Sequence, residues 1–493
     1  MLRETPSGNT LDSPNPNSTN PRYHPSSMDV SPLSSPPTPS TDDGRWALMI
    51  RAFSHRNYRL FFGGQLVSLI GTFLTQIATP WLVYHVTGDV VLLGVVAFAG
   101  QIPMFLLAPF AGVWVDRWNR QKLLVITQSL SMLQSFGLAV VALLLGRGAG
   151  SHHAEIVGII GLALMQGLIN AFDIPGRQTF LVEIVDRRED LANAIALNST
   201  MVHGARFIGP AIGGYLIYKV GPALCFGLDG CSYLGVIAAL LAMRVRPGPP
   251  KQHDTSILHD LNEGLQYIWA SKPILVMLLL LTTLSLTGMP ALTTLMPVFA
   301  TAFGGDAGSA RMLGILMGAS GLGAMTAAIY LASRKTVVGL GRLIAIASVV
   351  FGLAILGFSL SNHLWLSLSI VPVAGVGMLI SFASANTLIQ TLTDDHMRGR
   401  VMSFFTMSFV GMAPWGNLIA GVGAKALGGG VIGAAHMLTI AGVIVMIAGV
   451  IFALALPGLR RLIRPIYIKK GIIVAPVVEA LETVAEVVSG PER

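Results

Sequence analysis

Residues 111–122 read AGVWVDRWNRQK and lie between two long apolar stretches. Asp116, Arg117, Arg120 and Lys122 fall within seven residues, and Gly112 opens the pattern. Charges packed that tightly, between segments too apolar for water, mark the cytoplasmic hairpin of a membrane protein. Asn119 sits at the turn itself. Asparagine is the non-glycine residue that best tolerates a positive φ, so a tight reversal is expected there.

Composition widens this reading to the whole chain. With 53% hydrophobic and 11% charged residues and a mean hydropathy of +0.67, 493 residues carry far too little polar surface for a soluble globule. The expected class is all-α and polytopic. A crossing needs about 20 apolar residues, and twelve segments qualify: 59–84, 91–111, 123–145, 156–171, 191–218, 222–243, 274–302, 312–332, 343–360, 364–392, 401–424 and 432–456. Before them, residues 1–57 form the expected disordered tail, rich in Pro, Ser, Thr and Asn, with no signal peptide in view. The expected division continues with a six-helix half over 58–243, a linker over 244–273, a second half over 274–456 and a tail over 457–493.

The basic residues test this map. Segments on one side of the expected membrane hold 24 Lys and Arg, and the other side holds four: Arg147, Lys219, Arg311 and Lys425. The positive-inside rule places both termini, the linker and the 111–122 hairpin in the cytoplasm of a multi-pass protein of the inner cell membrane. The net charge of +8 is therefore a topology signal and no nucleic-acid footprint. In the linker, Leu258, Leu261, Leu265 and Trp269 recur at helical spacing, as in an amphipathic helix lying on the membrane surface. Cys225 and Cys231 fall on different helical faces, which excludes a disulfide between them.

Polar residues repeat on single helical faces. Gln65, Ser68, Thr72, Gln76 and Thr79 do so in the first span, Gln166, Asn170, Asp173 and Arg177 in the fourth, and Thr283, Thr287 and Thr294 in the seventh. Polar groups in hydrocarbon cost free energy unless paired or wet, so stripes on several spans imply a shared aqueous cavity. The alternative for each Ser or Thr is a bond to its own helix backbone. Arg206 lies near the middle of the fifth span, within reach in depth of Asp229 on the sixth, and His203 shares its face. Either protonation of Asp229 or His203 alters this pairing and drives a change of access, or the pair is a fixed staple.

Gly112-x-x-x-Asp116-Arg117-x-x-Arg120-x-Lys122 resembles the signature between spans 2 and 3 of the major facilitator superfamily, with Asn119 where the family has Gly. That resemblance implies two six-helix halves with alternating access. It also implies that Asp116 clamps the halves at the cytoplasmic side, against the helix opened by 393–400, with Asp173 and Arg177 in the same charge network; this favours the outward-open state. Gly209, Pro210, Gly213 and Gly214 resemble the span-5 antiporter signature of drug-proton exporters. Span 11 carries Gly411, Pro414, Gly416 and Gly421. Interrupted helices at matching places of two repeats point to moving parts, and the alternative is close helix packing alone. Stretches such as NAFDIPGRQTFLVEIV and MRGRVMSFF resemble the bacterial branch that contains the enterobactin exporter and macrolide efflux proteins. The implied function is proton-driven export of a siderophore or hydrophobic drug-like compound, by a monomer, with the bilayer, protons and a small molecule as partners.

Other classes lack their residues. His152, His153 and Glu155 make no metal or acid-base cluster, so no metal, cofactor or enzymatic activity is expected. No glycine-rich phosphate loop with Lys suggests ATP drive. An uptake symporter would share this fold, and a receptor or scaffold would not need the polar stripes.

Overall fold

The computed structural model describes residues 51–146, 152–185, 187–245, 257–334 and 336–473, and among these it contains helices and no strand. The expected N-terminal tail and the acidic-apolar end of the C-terminal tail lie largely outside the described residues. A short 3-10 turn, Arg51–Ser54, precedes six long helices: α1 Arg56–Thr87, α2 Val90–Arg117, α3 Arg120–Gly146, α4 His153–Glu183, α5 Arg188–Val220 and α6 Pro222–Ala242. The linker holds α7, Ile257–Ala270. Then come α8 Lys272–Thr283, a π-helical turn Leu284–Gly288, α9 Met289–Thr294 and α10 Met296–Ser333. The rest comprises α11 Leu340–Ser359, α12 Leu364–Leu392, α13 Arg398–Thr406, a second π turn Met407–Gly411, α14 Ala413–Ala426 and α15 Gly430–Lys469.

Local chemistry sets the reversals. Gly88 closes α1 in the left-handed conformation, with φ 61°, and the Asp89 carboxylate accepts the Val91 N–H at 2.9 Å to open α2. Gly221, φ 81°, is followed by Pro222 at the first turn of α6. The run 272–333 holds the seventh and eighth expected crossings and breaks at Gly305, φ 61° and ψ −177°. Nine helical runs among the described residues are long and apolar enough to cross a membrane. With that double run, α5 and the interrupted α13–α14, the architecture is consistent with twelve crossings. Large apolar side chains such as Leu241, Ile329 and Leu454 remain exposed, as hydrocarbon solvent allows.

Three expected boundaries change. The tail over 1–57 ends in folded chain: the Ala52 N–H donates to Asn193 Oδ1 at 3.0 Å, and His55 meets Asp190 at 3.1 Å. The fourth crossing, expected to stop at 171, runs to Glu183, because Arg177 pairs with Asp173 one turn away and the helix continues through both. The twelfth extends from 456 to Lys469, and the Lys470 ammonium then donates to the carbonyls of Thr391 and Thr393, each at 2.8 Å, at the end of α12.

Packing places α1 between α5 and α6, α3 against α4 and α6, and α2 against α4. After the linker, α12 packs on α10 and α11, and α15 on α11. Across the linker, α5 meets α10 and α2 meets α14. We call the end with the Gly88 and Gly221 reversals the far end, and the end with Arg56, Arg120 and Arg398 the basic end.

Candidate functional site

Two buried carboxylates organise the interior of the first six helices. Asp173 on α4 is 1% exposed. Thr127 Oγ1 and Gln128 Nε2 on α3 both donate to its Oδ1 at 2.7 Å, and Arg177 Nε donates to Oδ2 at 2.5 Å. Arg177 also reaches α1, where its Nη1 donates to Gln65 Oε1 at 2.5 Å. A buried ion pair repays its desolvation only with such additional hydrogen bonds, and here two neighbouring helices, α1 and α3, supply them.

Asp229 on α6 is equally buried. Its Oδ2 accepts Thr75 Oγ1 of α1 at 2.6 Å and Ser135 Oγ of α3 at 2.8 Å, and its Oδ1 has no protein partner. Gly71 lets α1 close over it: a β-carbon there would stand 2.5 Å from Asp229 Oδ1 and 2.7 Å from Ser232 Oγ. Tyr233 of α6 is buried as well, and on α1 the Thr72 hydroxyl donates to the Ser68 carbonyl of its own helix at 3.0 Å.

The span-1 stripe is thus real, and its surroundings differ from expectation. Gln65, Ser68 and Thr72 face the packed interior of helices 1, 3, 4 and 6, where an aqueous cavity was expected. The face continues through Thr75, and Gln76 is exposed. Gln166 donates to Asn170 within α4 at 3.0 Å, and Thr283 and Thr287 bond carbonyls of their own helix, the backbone alternative. The expected Arg206–Asp229 pair is absent from the described contacts: Arg206 is exposed, and α1 stands between α5 and α6 at the depth of Asp229. The glycines of α5 draw that helix onto α1 rather than onto the next helix in the chain. A small, largely apolar cavity at the basic end is lined by Phe61, Leu69, Leu181, Met201 and Val202 together with Gln65, Arg177, Gln178 and Asn198.

In the 111–122 hairpin, the side chains of Gly112, Asp116 and Arg117, like that of His203, lie outside the described residues. Arg120 pairs with Glu183 at the end of α4, Gln121 donates to the Leu240 carbonyl at 2.6 Å, and Lys122 is exposed. Asn119 caps α3, its Oδ1 accepting the Lys122 N–H at 3.0 Å. Near the start of α13, Tyr267 of α7 donates to Asp394 at 3.1 Å, and Arg400 pairs with Glu263 at 3.0 Å. Loss of solvent, with a smaller push from the Asp394 carboxylate that its hydroxyl bonds, raises the Tyr267 pKa.

The far end joins helices from the two sides of the linker at backbone distance. A β-carbon on Gly214 of α5 would stand 2.6 Å from Gly314 Cα of α10, and one on Gly94 of α2 would stand 2.6 Å from the Asn417 carbonyl oxygen of α14. Trp81 Nε1 donates to Ser309 Oγ at 2.9 Å, and Lys425 pairs with Asp89 at 2.8 Å. Gly209 and Gly213 rest on Phe73 and Leu74 of α1, so the expected antiporter motif makes close helix contacts throughout.

Sequence reading missed α3. Thr127, Gln128, Ser131, Gln134 and Ser135 are all buried, at steps of 1, 3, 3 and 1 that define one helical face. The same periodicity test applied to span 1 finds them.

Comparison with known proteins agrees with this geometry. The family model described as transmembrane secretion effector matches residues 48–461. The chain is 26% identical over 374 residues to the staphyloferrin A transporter of Staphylococcus aureus, covering 75% of this chain and 90% of that one. It is 27% identical over 401 residues to the multidrug efflux pump Tap of Mycolicibacterium fortuitum, covering 80% and 93%. It is 26% identical over 415 residues to the enterobactin exporter EntS of Citrobacter koseri, covering 84% and 94%. The chain belongs to the transmembrane secretion effector family of the major facilitator superfamily.

Proposed function

We propose that this protein exports a small organic molecule, either a siderophore or a hydrophobic drug-like compound, in exchange for protons. It works as a monomer in the inner cell membrane, with both termini and the basic end in the cytoplasm. Two six-helix halves, 58–243 and 274–456, rock about a shared seam. One observation carries the alternating-access reading: the Gly94, Gly421, Gly214 and Gly314 contacts between the halves gather at the far end. Small residues permit backbones to approach closely in lipid, so that end is shut while the small cavity bordered by Gln65 and Arg177 lies at the basic end. This conformation receives solute from the cytoplasm. Its opposite requires these glycine seams to part and the 111–122 hairpin, with Asp116, to close on the other half.

Export and substrate class draw support from relatives whose names record siderophore and multidrug traffic. Proton exchange draws support from Asp229, a buried carboxylate with one free oxygen. Uptake of dyes, macrolides and a catecholate siderophore into inverted vesicles, with and without an imposed proton gradient, tests the proposal. Gradient-dependent accumulation is expected. Entry into right-side-out vesicles only would make the protein an uptake symporter.

A further inference from the structure

Two arginines stand within the first six helices, and the protein neutralises one of them. Arg177 is held by Asp173 and Gln65. Arg206, near the middle of α5, has no hydrogen bond or ion pair with any described residue. Its guanidinium N–H groups need acceptors that water or a solute must supply. The placement of the carboxylates explains this. At bundle depth they are Asp173, taken by Arg177, and Asp229, which lies behind α1 in the grip of Thr75 and Ser135. Over 274–456 the acidic residues are Asp306, next to the Gly305 break at the far end, and Asp394 and Asp395, just beyond α12 at the basic end.

One face of α5 changes character along its length. Toward the basic end Ile195, Ser199 and Arg206 follow it and are exposed; toward the far end Pro210, Gly213 and Ile217 follow it and are buried. A β-carbon on Gly314 of α10 would stand 2.7 Å from the Pro210 carbonyl oxygen, and Pro210 is one turn, about 6 Å, from Arg206. Arg206 therefore marks the level at which the two sets of helices part, the apex of a cleft that opens to the basic end. Its side chain is exposed and still surrounded by protein on most sides, as a cleft wall requires and a lipid-facing position does not. One turn below it Val202, and a further turn on Asn198, border the small cavity shared with Phe61 and Leu69 of α1.

We propose that the exported solute is an organic anion with an apolar body, and that Arg206 selects it by holding its carboxylate while the apolar part lies against the small cavity. This rests on the export reading above and chooses among its solutes by charge. The planar guanidinium fork matches a carboxylate with two parallel hydrogen bonds. Low-dielectric surroundings strengthen that attraction and, equally, the repulsion of a cationic compound. Closing the cleft over an empty Arg206 would bury its charge unpaired, so an anion seated there also favours closure at the basic end.

Equilibrium binding to the full chain in nanodiscs, read by fluorescence anisotropy with empty nanodiscs subtracted, tests this. Carboxyfluorescein and rhodamine 123 share a xanthene skeleton and carry opposite charge. The anionic dye is expected to bind about tenfold or more tightly than the cationic one. Arg206→Gln is expected to abolish that preference, Arg206→Lys to keep its sign, and Arg206→Glu to invert it. A purely structural arginine would instead lower the affinity for both dyes alike in all three variants, and that result overturns the proposal. So does a wild-type chain that binds rhodamine 123 as well as carboxyfluorescein, or that binds no carboxyfluorescein. Failure of the export reading itself shows elsewhere: carboxyfluorescein bound with the expected preference but not accumulated in inverted vesicles keeps the anion site and removes export.

Discussion

The interiors of the two six-helix sets are built from different chemistry. The first holds Asp173, Arg177 and Asp229, tied to amides and hydroxyls from two neighbouring helices, α1 and α3. In the second, the described buried contacts are neutral: Ser348 with Ser381 at 3.1 Å, Ser359 with Thr439 at 2.9 Å, and Thr294 with Asn417 at 2.7 Å. The second set has instead two π turns that face each other, where Ser285 of one donates to the Phe409 carbonyl of the other. π turns loosen the regular helical ladder and recur at functional sites. One side of the molecule thus handles charge, and the other supplies a place to bend.

Substitutions can break this contrast. Arg177→Met leaves the Asp173 carboxylate buried without its cation and is expected to cost about 3–5 kcal/mol, read as a lowered midpoint of thermal unfolding in nanodiscs. Asp229→Asn is expected to reduce gradient-driven dye accumulation in inverted vesicles by about 10²-fold. If Asn417→Ala in the second set does equal damage, the division of labour is wrong. Gly214→Val pushes a side chain against Gly314 and is expected to disfavour far-end closure by about 1–3 kcal/mol. A cysteine placed at exposed Thr200 should then label more slowly from the basic side. Ser348→Ala, a neutral deletion in the second set, should cost about 0.5–1.5 kcal/mol in the same unfolding assay.

The smallest effect concerns the far-end ion pair. Burial pushes the Asp89 pKa up, but the Lys425 ammonium and the Val91 N–H outweigh it, and the net shift is downward from the ordinary 3.8. The pair therefore holds the far end at every pH above the ordinary carboxylate range and is lost only as pH falls through the depressed value. Lys425→Ala is expected to weaken far-end closure by about 0.2–1 kcal/mol, with the effect reduced by salt.

Much of this was legible in the sequence, because hydropathy and the basic-residue asymmetry act along the chain. The reversals at Gly88, Gly221 and Gly305 fall in the gaps that hydropathy leaves between expected spans. Relations between helices were harder to see. Arg206 and Asp229 match in depth, and only the rotation of α5 and the interposition of α1 separate them. On α1, a single step of register, Thr75 for Gln76, decides which residue meets the carboxylate. The α3 face escaped notice because it lacks charge, and its meaning comes from carboxylates on α4 and α6.

The linker helix has a consequence for how the protein is made. Its Gly264 and Ile268 are buried, and Gly264 lies against Arg400 and Phe404 of α13. That docking site follows α7 in the chain by roughly 130 residues, so at about 5–20 residues per second the ribosome leaves the helix without its partner for something like ten seconds. During that interval its apolar face has the bilayer surface as its only shelter. An amphipathic helix suits both lives: Leu265 and Trp269 stay exposed and keep their place on the bilayer surface, while the Gly264 side is covered by α13 when the last part of the bundle arrives.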